Sequence, residues 1–281
     1  MTVAARLAGF AVGLVVLGGA AAAVGAAVGP APERADAPEE MGEHGAMPAA
    51  APVRGLSVSQ DGLRLVVDQR TLPAGRTAPL TFRVVDDRGA TVRDFDVEHT
   101  KRMHLIVARR DLTGFQHLHP EQRPDGTWTT PIRVADPGDY RVFADFARDE
   151  TPVTLGADVA VDGTVTRHPL PAPATSATSD GGDEVHLQAT DAHPGEEATL
   201  RFTVTRDGRP VELQPYLGAG GHLVALRDGD LAFLHVHPDA ADGNRVAFAA
   251  TFPTAGRYRL FLQYQVDGRV QTAEFTQEVS R

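Results

Sequence analysis

The 281-residue chain contains no cysteine, which excludes disulfide bonds and thiolate metal ligands. Lysine is almost absent as well, since Lys101 is the one lysine among 27 basic residues. Against them stand 37 acidic residues, which gives a net charge of −10. An acidic chain without a basic stripe argues against binding to nucleic acid and to anionic lipid surfaces. The sequence also lacks a Ser-His-Asp or Cys-His constellation and a glycine-rich phosphate loop, so we expect no enzymatic activity.

The amino-terminal segment is the one long apolar run. Residues 7–29 carry no charge and follow Arg6, with small residues near their end. Segment 1–29 is therefore predicted to be a signal peptide or an uncleaved membrane anchor. Either alternative predicts an extracytoplasmic protein, secreted or held at the membrane. Residues 30–52, acidic and rich in proline and alanine, are predicted to form a disordered linker.

The remaining chain divides into two blocks, 53–165 and 183–281, around a Pro/Ser/Thr-rich linker at 166–182. Short apolar or alternating runs bounded by Gly, Pro and Asp occur in both blocks: Leu63–Val67, Leu80–Val84 and Leu200–Val204. Such runs are typical of β-strands. The sequence predicts an all-β protein with two tandem immunoglobulin-like or cupredoxin-like β-sandwich domains. An apolar helix at the amino terminus and the disordered linker precede them.

One histidine pattern occurs in both blocks, with an offset of 118 residues (222 − 104). It consists of His104, His117 and His119 in the first block and His222, His235 and His237 in the second. Six of the eleven histidines belong to this repeat. Imidazole is the commonest metal ligand among side chains, so each triad is a candidate metal site. The repeat also contains Tyr140 and Tyr258, which are typical of the corner tyrosine of immunoglobulin-like sandwiches.

The spacing predicts that each triad lies at one end of a β-hairpin. Asp228-Gly229 between apolar runs favours a two-residue turn, in which paired residue numbers sum to 457 (228 + 229). That register places His222 opposite His235, with His237 diagonally adjacent on the same face. The first block has the same spacing, so we expect His104, His117 and His119 to converge likewise.

Copper is the metal that the sequence favours. Three imidazoles without thiolate suit copper(II) or zinc, and thioethers suit copper(I). Met41 and Met47 flank His44, and Met103 adjoins His104, so these residues are candidate accessory ligands: Met41, His44, Met47 and Met103. Alternation places Met103 on the face opposite His104, where it would be core unless the strand bulges. His99 has no counterpart in the second block and is predicted to lie at the surface or in a loop.

Four segments together resemble a family of bacterial exported, heavy-metal-associated β-sandwich proteins linked to copper handling: Lys101–Val107, Asp111-Leu112, Phe115–Glu121 and Tyr140–Phe146. The resemblance implies a role in extracytoplasmic metal homeostasis. The second block departs from the pattern, because Gln263 replaces Asp145 and Tyr264 replaces Phe146.

Three functions are consistent with these features. The first is an extracytoplasmic copper-binding protein that buffers, delivers or senses the ion, with a membrane metal transporter as its partner. The second is a metal-free cell-surface module for protein interaction. The third is a hydrolase with a three-histidine zinc ion, for which no general base is identified, since Asp111 and Asp230 lie at the hairpin turns. The first is the function that the sequence favours.

Overall fold

The computed structural model describes residues 53–281, except His237 and the side chains of His235, Asp239 and Ala240. The predictions made for residues 1–52, including the accessory ligands Met41, His44 and Met47, lie outside the described residues. Within 53–281 no apolar helix of membrane-spanning length is found.

The prediction of an all-β fold with two repeated immunoglobulin-like sandwiches is confirmed. The first sandwich contains strands β1 (Ser59–Gln60), β2 (Leu63–Val67), β3 (Thr71–Leu72), β4 (Thr77–Val85), β5 (His104–Arg109), β6 (Gln116–Leu118), β7 (Glu121–Gln122), β8 (Trp128–Arg133), β9 (Gly138–Arg148) and β10 (Thr151–Val161). One sheet has the order β1-β2-β4-β8-β7 and the other β3-β10-β9-β5-β6.

The second sandwich repeats this arrangement. Its strands are β11 (Ser176–Thr178), β12 (Glu184–Ala189), β13 (Glu197–Arg206), β14 (Arg209–Pro210), β15 (His222–Arg227), β16 (Phe233–Val236), β17 (Pro238–Asp242), β18 (Arg245–Thr251), β19 (Gly256–Val266) and β20 (Arg269–Val279). One sheet has the order β11-β12-β13-β18-β17, with β14 on β13, and the other β16-β15-β19-β20. The linker is therefore shorter than predicted, because Ser176–Thr178 is an edge strand of this domain.

The tyrosine corner is present in both domains. The Tyr140 hydroxyl donates to the carbonyl of Asp136 over 2.8 Å, and the Tyr258 hydroxyl donates to the carbonyl of Thr254 over 3.0 Å. Each bond returns to backbone four residues upstream and holds the loop that leads into β9 or β19. Both rings are fully buried in the core of their own sandwich.

The two sandwiches share a third hydrophobic core. Strands β5 and β15 are buried on both faces, since their side chains alternate between a sandwich interior and the facing domain. The shared core consists of Ile106, Ala108, Leu112, Phe143, Val224, Leu226, Leu231, Phe233 and Phe261, with Phe115 and Leu170 packed against it. Phe115 stacks on Phe261 at 4.1 Å between ring centroids and 6° between planes. The central hairpins therefore face each other across an apolar interface.

The hairpin register differs by two residues from the predicted one. Val224 pairs with His235 and Leu226 with Phe233, so paired numbers sum to 459, and His235 does not lie opposite His222. The turn is wider than Asp228-Gly229 alone: Leu231 adopts a positive φ of 62° and the Arg227 guanidinium donates to Asp230. Burial of Leu231 in the shared core and this ion pair outweigh the local Asp-Gly preference. The first hairpin has the matching register, with His117 opposite Ile106.

A segment ahead of β1 closes one side of the interface. The Phe233 N–H donates to the carbonyl of Arg54, and Gly55 N–H donates to the carbonyl of Thr154. The Arg141 guanidinium donates to the carbonyl of Gly55 over 2.9 Å. A Cβ on Gly55 would lie 2.7 Å from the Phe233 Cβ and 2.8 Å from the Phe143 ring. Only glycine fits this close approach, which also requires a φ of +73°.

Candidate metal centre

The three first-domain histidines of the pattern lie on the interdomain face, at the end of their hairpin that is remote from its turn. His104 begins β5, and it shares a face with Ile106 and Ala108 of the shared core because side chains alternate along a strand. His117 lies in β6, and His119 follows that strand. Alternation therefore places apolar contacts near the turns and imidazoles at the far end of the same surface.

The three first-domain histidines converge, as their spacing predicts. One ring nitrogen from each of His104, His117 and His119 lies within 4.8 Å of the others. A two-residue change of register keeps every side chain on its own face, so the convergence survives the error in the predicted register. Ring centroids are 5.3 Å apart for His104 and His117, 5.1 Å for His104 and His119, and 4.7 Å for His117 and His119.

These separations fit a single metal ion. With a metal–nitrogen bond of about 2.1 Å and tetrahedral angles, two imidazoles on one ion have centroids roughly 5 Å apart. All three observed separations lie close to that value. Nitrogen-only ligation of this kind suits copper(II) and zinc. The nitrogen donors and the spacing of their rings thus both suit one copper(II) or zinc ion.

Hydrogen-bond acceptors set the tautomers of two of these rings. His104 Nε2 lies 3.2 Å from the carbonyl oxygen of Glu98, and His117 Nδ1 lies 2.7 Å from Oε1 of Gln263. Both oxygens only accept, so we assign the protons to His104 Nε2 and His117 Nδ1. The basic nitrogens are then His104 Nδ1 and His117 Nε2, which lie 3.0 Å apart. The 3.0 Å separation is that of a hydrogen bond if one ring carries a second proton, and of two ligands if a metal cation lies between the two nitrogens.

His119 completes the triad from the more open side. Its Nε2 is buried and has no hydrogen-bond partner within the described part of the chain. Burial, with smaller contributions from the neighbouring His104 and Lys101, lowers the pKa of His119 to about 4. The ring is therefore neutral at pH 7 and able to ligate. A cavity of about 430 Å³, lined by His119, Glu121 and Thr130 among others, leads from the surface to this ring.

The second domain contributes to the same cluster. His222 is the counterpart of His104, and its Nε2 lies 3.1 Å from the carbonyl oxygen of Tyr216, the counterpart of Glu98. Its ring centroid is 6.3 Å from that of His104 and 6.1 Å from that of His117. His222 is 1% exposed. The first-domain triad is therefore not isolated, since an imidazole of the other sandwich lies beside it.

Gln263 is a residue of the site that the sequence did not suggest. It pairs with His222 across β15 and β19, as Asp145 pairs with His104 across β5 and β9. Its amide nitrogen donates to Thr272 over 3.4 Å, which turns the amide oxygen towards His117. Its position on the face of His222 was readable from alternation. Its contact with the other domain was not, because nothing in the sequence indicates that the sandwiches dock.

His99 was predicted to lie at the surface or in a loop, and it lies in a loop, although that loop takes part in the cluster. The loop between β4 and β5 brings its half-buried ring to 5.0 Å from the ring of His222 and 6.2 Å from that of His104. Both His99 and Thr100 have positive φ, 47° and 67°. A tight backbone turn thus returns His99 to the cluster, which periodicity could not show.

Other predicted ligands are placed elsewhere or are not described. Met103 is 1% exposed and belongs to the core of the first sandwich, on the face opposite His104. Because β5 has no bulge there, its thioether is not an accessory ligand of this cluster. The side chain of His235 and the whole of His237 lie outside the described residues, so the second triad stays a prediction.

The fold and the site define a tandem β-sandwich protein with a buried histidine cluster at the interface between its domains. The chain belongs to the family described as "Domain of unknown function (DUF8832)", which matches residues 57–163 and again residues 177–281. No curated protein matches the chain.

Several solved structures are similar in fold. The Escherichia coli adhesin FdeC matches with 13% identity and a TM-score of 0.26, over 80% of this chain and 66% of the adhesin chain. Salmonella alpha-2-macroglobulin matches with 14% identity and a TM-score of 0.29, over 82% of this chain and 15% of that one. Fibronectin(III)-like modules of Clostridium thermocellum CbhA match with 11% identity and a TM-score of 0.21, over 76% and 92% of the two chains. This chain thus spans less than two thirds of the first two.

Proposed function

We propose that the protein binds a transition-metal ion at His104, His117 and His119. The observation that carries this proposal is the 3.0 Å approach of His104 Nδ1 to His117 Nε2 while carbonyl oxygens accept from the opposite nitrogen of each ring. Imidazoles oriented by oxygen acceptors on their far nitrogens are a common feature of metal sites. His119 adds a neutral nitrogen that makes no hydrogen bond among the described residues.

Copper(II) is the ion we expect to bind most tightly, with zinc second. At a site of imidazole ligands the affinity of divalent ions peaks at copper. The removal of Met103 from the ligand set leaves nitrogen donors alone among the described residues, which favours copper(II) over copper(I). The proposal includes an extracytoplasmic location, which segment 1–29 predicts. At that location the protein would buffer, deliver or sense the metal ion.

Binding, rather than hydrolysis, is the function that the burial of the site supports. His104 and His222 are 2% and 1% exposed and close the inner side of the cluster, while the cavity at His119 is its opening to the surface. Metal sites that keep an ion are closed, whereas catalytic zinc keeps an open position for water and substrate. We therefore propose a non-enzymatic role in which the ion is cargo or a structural element.

The test is metal titration of the purified full chain with copper(II) and zinc, followed by desalting and elemental analysis. His119→Ala is the decisive variant, because its Nε2 makes no described hydrogen bond that the substitution would remove. We expect the wild type to retain copper and His119→Ala to bind it more weakly, with less copper retained after desalting. His186→Ala, at an exposed position on β12, is the matched control and should match the wild type.

An unaltered copper content in His119→Ala would overturn the proposal for this triad. A wild type that retains no metal, with His117→Ala unfolding at lower denaturant concentration, would favour the metal-free module instead. The bond from His117 to Gln263 supports that alternative, because it already joins the two sandwiches without an ion.

A further inference from the structure

The geometry points to a metal ion that is shared between the two sandwiches, with His222 as its fourth ligand. The inference rests on the proposed function and deepens it, because an ion bound by both domains stabilises their docked arrangement. A site held by the first domain alone would not need the second sandwich. A shared site cannot form unless the domains dock.

His222 is oriented in the same way as the ligand His104. In each ring Nε2 faces a carbonyl oxygen at the equivalent position of its own domain, Glu98 for His104 and Tyr216 for His222. The proton is thus assigned to Nε2 in both cases, which leaves Nδ1 as the basic nitrogen of His222. The duplicated domains therefore bring two equivalent imidazoles, in the same tautomer, to one interface.

His222 is not among the residues whose ring nitrogens lie within 4.8 Å of one another, so it must approach the triad to bind the same ion. Its ring lies 6.1 Å from His117 and 6.3 Å from His104. Two rings on one tetrahedral ion lie roughly 5 Å apart, so the ring of His222 is about 1 Å too distant. A small rotation of a histidine side chain, or a slight closure of the interface, spans that gap. A fourth imidazole would complete tetrahedral ligation of zinc or a tetragonal set for copper(II).

The second domain also supplies the hydrogen-bond acceptor that orients a first-domain ligand. Gln263 accepts from His117 Nδ1 over 2.7 Å, and Thr272 of the adjacent strand holds the amide. A metal ligand oriented by the other domain is displaced when the domains separate. Both the ligand His222 and the orienting Gln263 thus depend on the same docked arrangement.

The apolar part of the interface sets the positions of His222 and Gln263 relative to the first domain. Phe115 and Phe261 stack across it, and Phe143 lies 5.1 Å from Phe233 between ring centroids. If docking of the domains raises the affinity for the ion, then binding of the ion raises the equilibrium constant for docking by the same factor. A substitution at Phe261, which removes no imidazole, should therefore weaken metal binding.

X-ray absorption spectroscopy of the copper- or zinc-loaded full chain counts the imidazoles on the ion. His222→Gln is the test variant, since its amide N–H can still donate to the Tyr216 carbonyl and preserve the fold. We expect four imidazoles in the wild type and three in His222→Gln, with an affinity at least about 10-fold lower. His186→Ala is the control for loss of an unrelated imidazole and should show four imidazoles and wild-type affinity.

Phe261→Ala tests the coupling separately. We expect its metal affinity to fall about 5-fold or more, and added metal to raise its unfolding midpoint more than that of His119→Ala. Wild-type ligation and affinity in His222→Gln would overturn the shared site while leaving the proposed function intact. Absence of any metal from the wild type would refute the proposed function itself, so the two failures are distinguishable.

Discussion

The Nδ1–H of His117 donates to Oε1 of Gln263 over 2.7 Å, and this bond crosses from the first sandwich to the second. Both side chains are nearly buried, at 9% and 8% exposure. A hydrogen bond between buried polar groups contributes specificity, because a misaligned interface would leave both groups without partners. The bond joins the two domains and sets the tautomer of His117, a proposed metal ligand.

Gln263→Leu should weaken metal binding without removing a ligand. The substitution deprives His117 Nδ1 of its acceptor, and loss of such an orienting partner typically lowers metal affinity about 10- to 100-fold. Gln263→Glu should restore binding, because a carboxylate accepts the same N–H. Calorimetric titration with copper(II) measures both affinities.

Gln188→Leu, an exposed position on β12, controls for the change of an amide to an apolar side chain. Equal affinity in Gln263→Leu and Gln188→Leu would contradict the orienting role of Gln263. If Gln263→Glu did not recover metal binding, the weaker binding of Gln263→Leu would be explained by altered packing rather than by the lost hydrogen bond.

Phe115→Ala should uncouple the unfolding of the two sandwiches. The ring stacks on Phe261 across the shared core, and its truncation should destabilise the docked protein by about 2–3 kcal/mol. Each sandwich has its own core, so a weakened interface allows them to unfold separately. Calorimetry should resolve two transitions where the wild type shows one. Val97→Ala, at 63% exposure, should retain the wild-type profile within about 0.5 kcal/mol.

Gly55→Ala should destabilise the protein more than Gly62→Ala. Both glycines have positive φ, +73° and +76°, so both substitutions incur about 1–2 kcal/mol of backbone strain. A Cβ on Gly55 would also overlap the Phe233 Cβ and the Phe143 ring, whereas nothing lies within 4 Å at Gly62. Chemical denaturation of the two variants measures the difference. Equal losses would show that the segment before β1 does not pack against the interface in solution.

Asp111→Asn should remove stability that depends on pH. Burial by itself would raise the pKa of Asp111, but hydrogen bonds from the Arg109 guanidinium and the His168 backbone N–H outweigh it and hold the pKa well below its ordinary value. A carboxyl with a lowered pKa stabilises the fold above its unfolded pKa, about 3.9, and loses that contribution as pH falls towards the folded pKa.

The free energy of unfolding of Asp111→Asn should be lower than that of the wild type by about 2 kcal/mol at pH 7. The difference should narrow as pH falls from about 5 to 2. Urea denaturation at a series of pH values measures it. Asp87→Asn, an exposed position after β4, controls for the loss of one negative charge. A difference that is constant with pH would contradict the role of the ion pair with Arg109.

Local patterns predicted the strands well because alternation and turn residues act over a few positions. Leu63–Val67 is a strand with the predicted bounds, and Leu80–Val84 and Leu200–Val204 lie inside β4 and β13. The hairpin register was wrong by two, since the Asp228-Gly229 preference is weaker than burial of Leu231 in a core formed with the other domain. A register error of one would have moved the histidines to the opposite face.

The sequence by itself determined two β-sandwiches and the convergence of His104, His117 and His119, because strand periodicity and a fixed spacing suffice for both. Only the tertiary structure decided that the domains dock, since the residues of the shared core look like ordinary alternating strand positions. Docking brings His222 and Gln263 to the triad and places His222 beside His99. The contact between His117 and Gln263, 146 residues apart, arises because two domain surfaces pack together. Spacing along the sequence cannot predict which surfaces will pack.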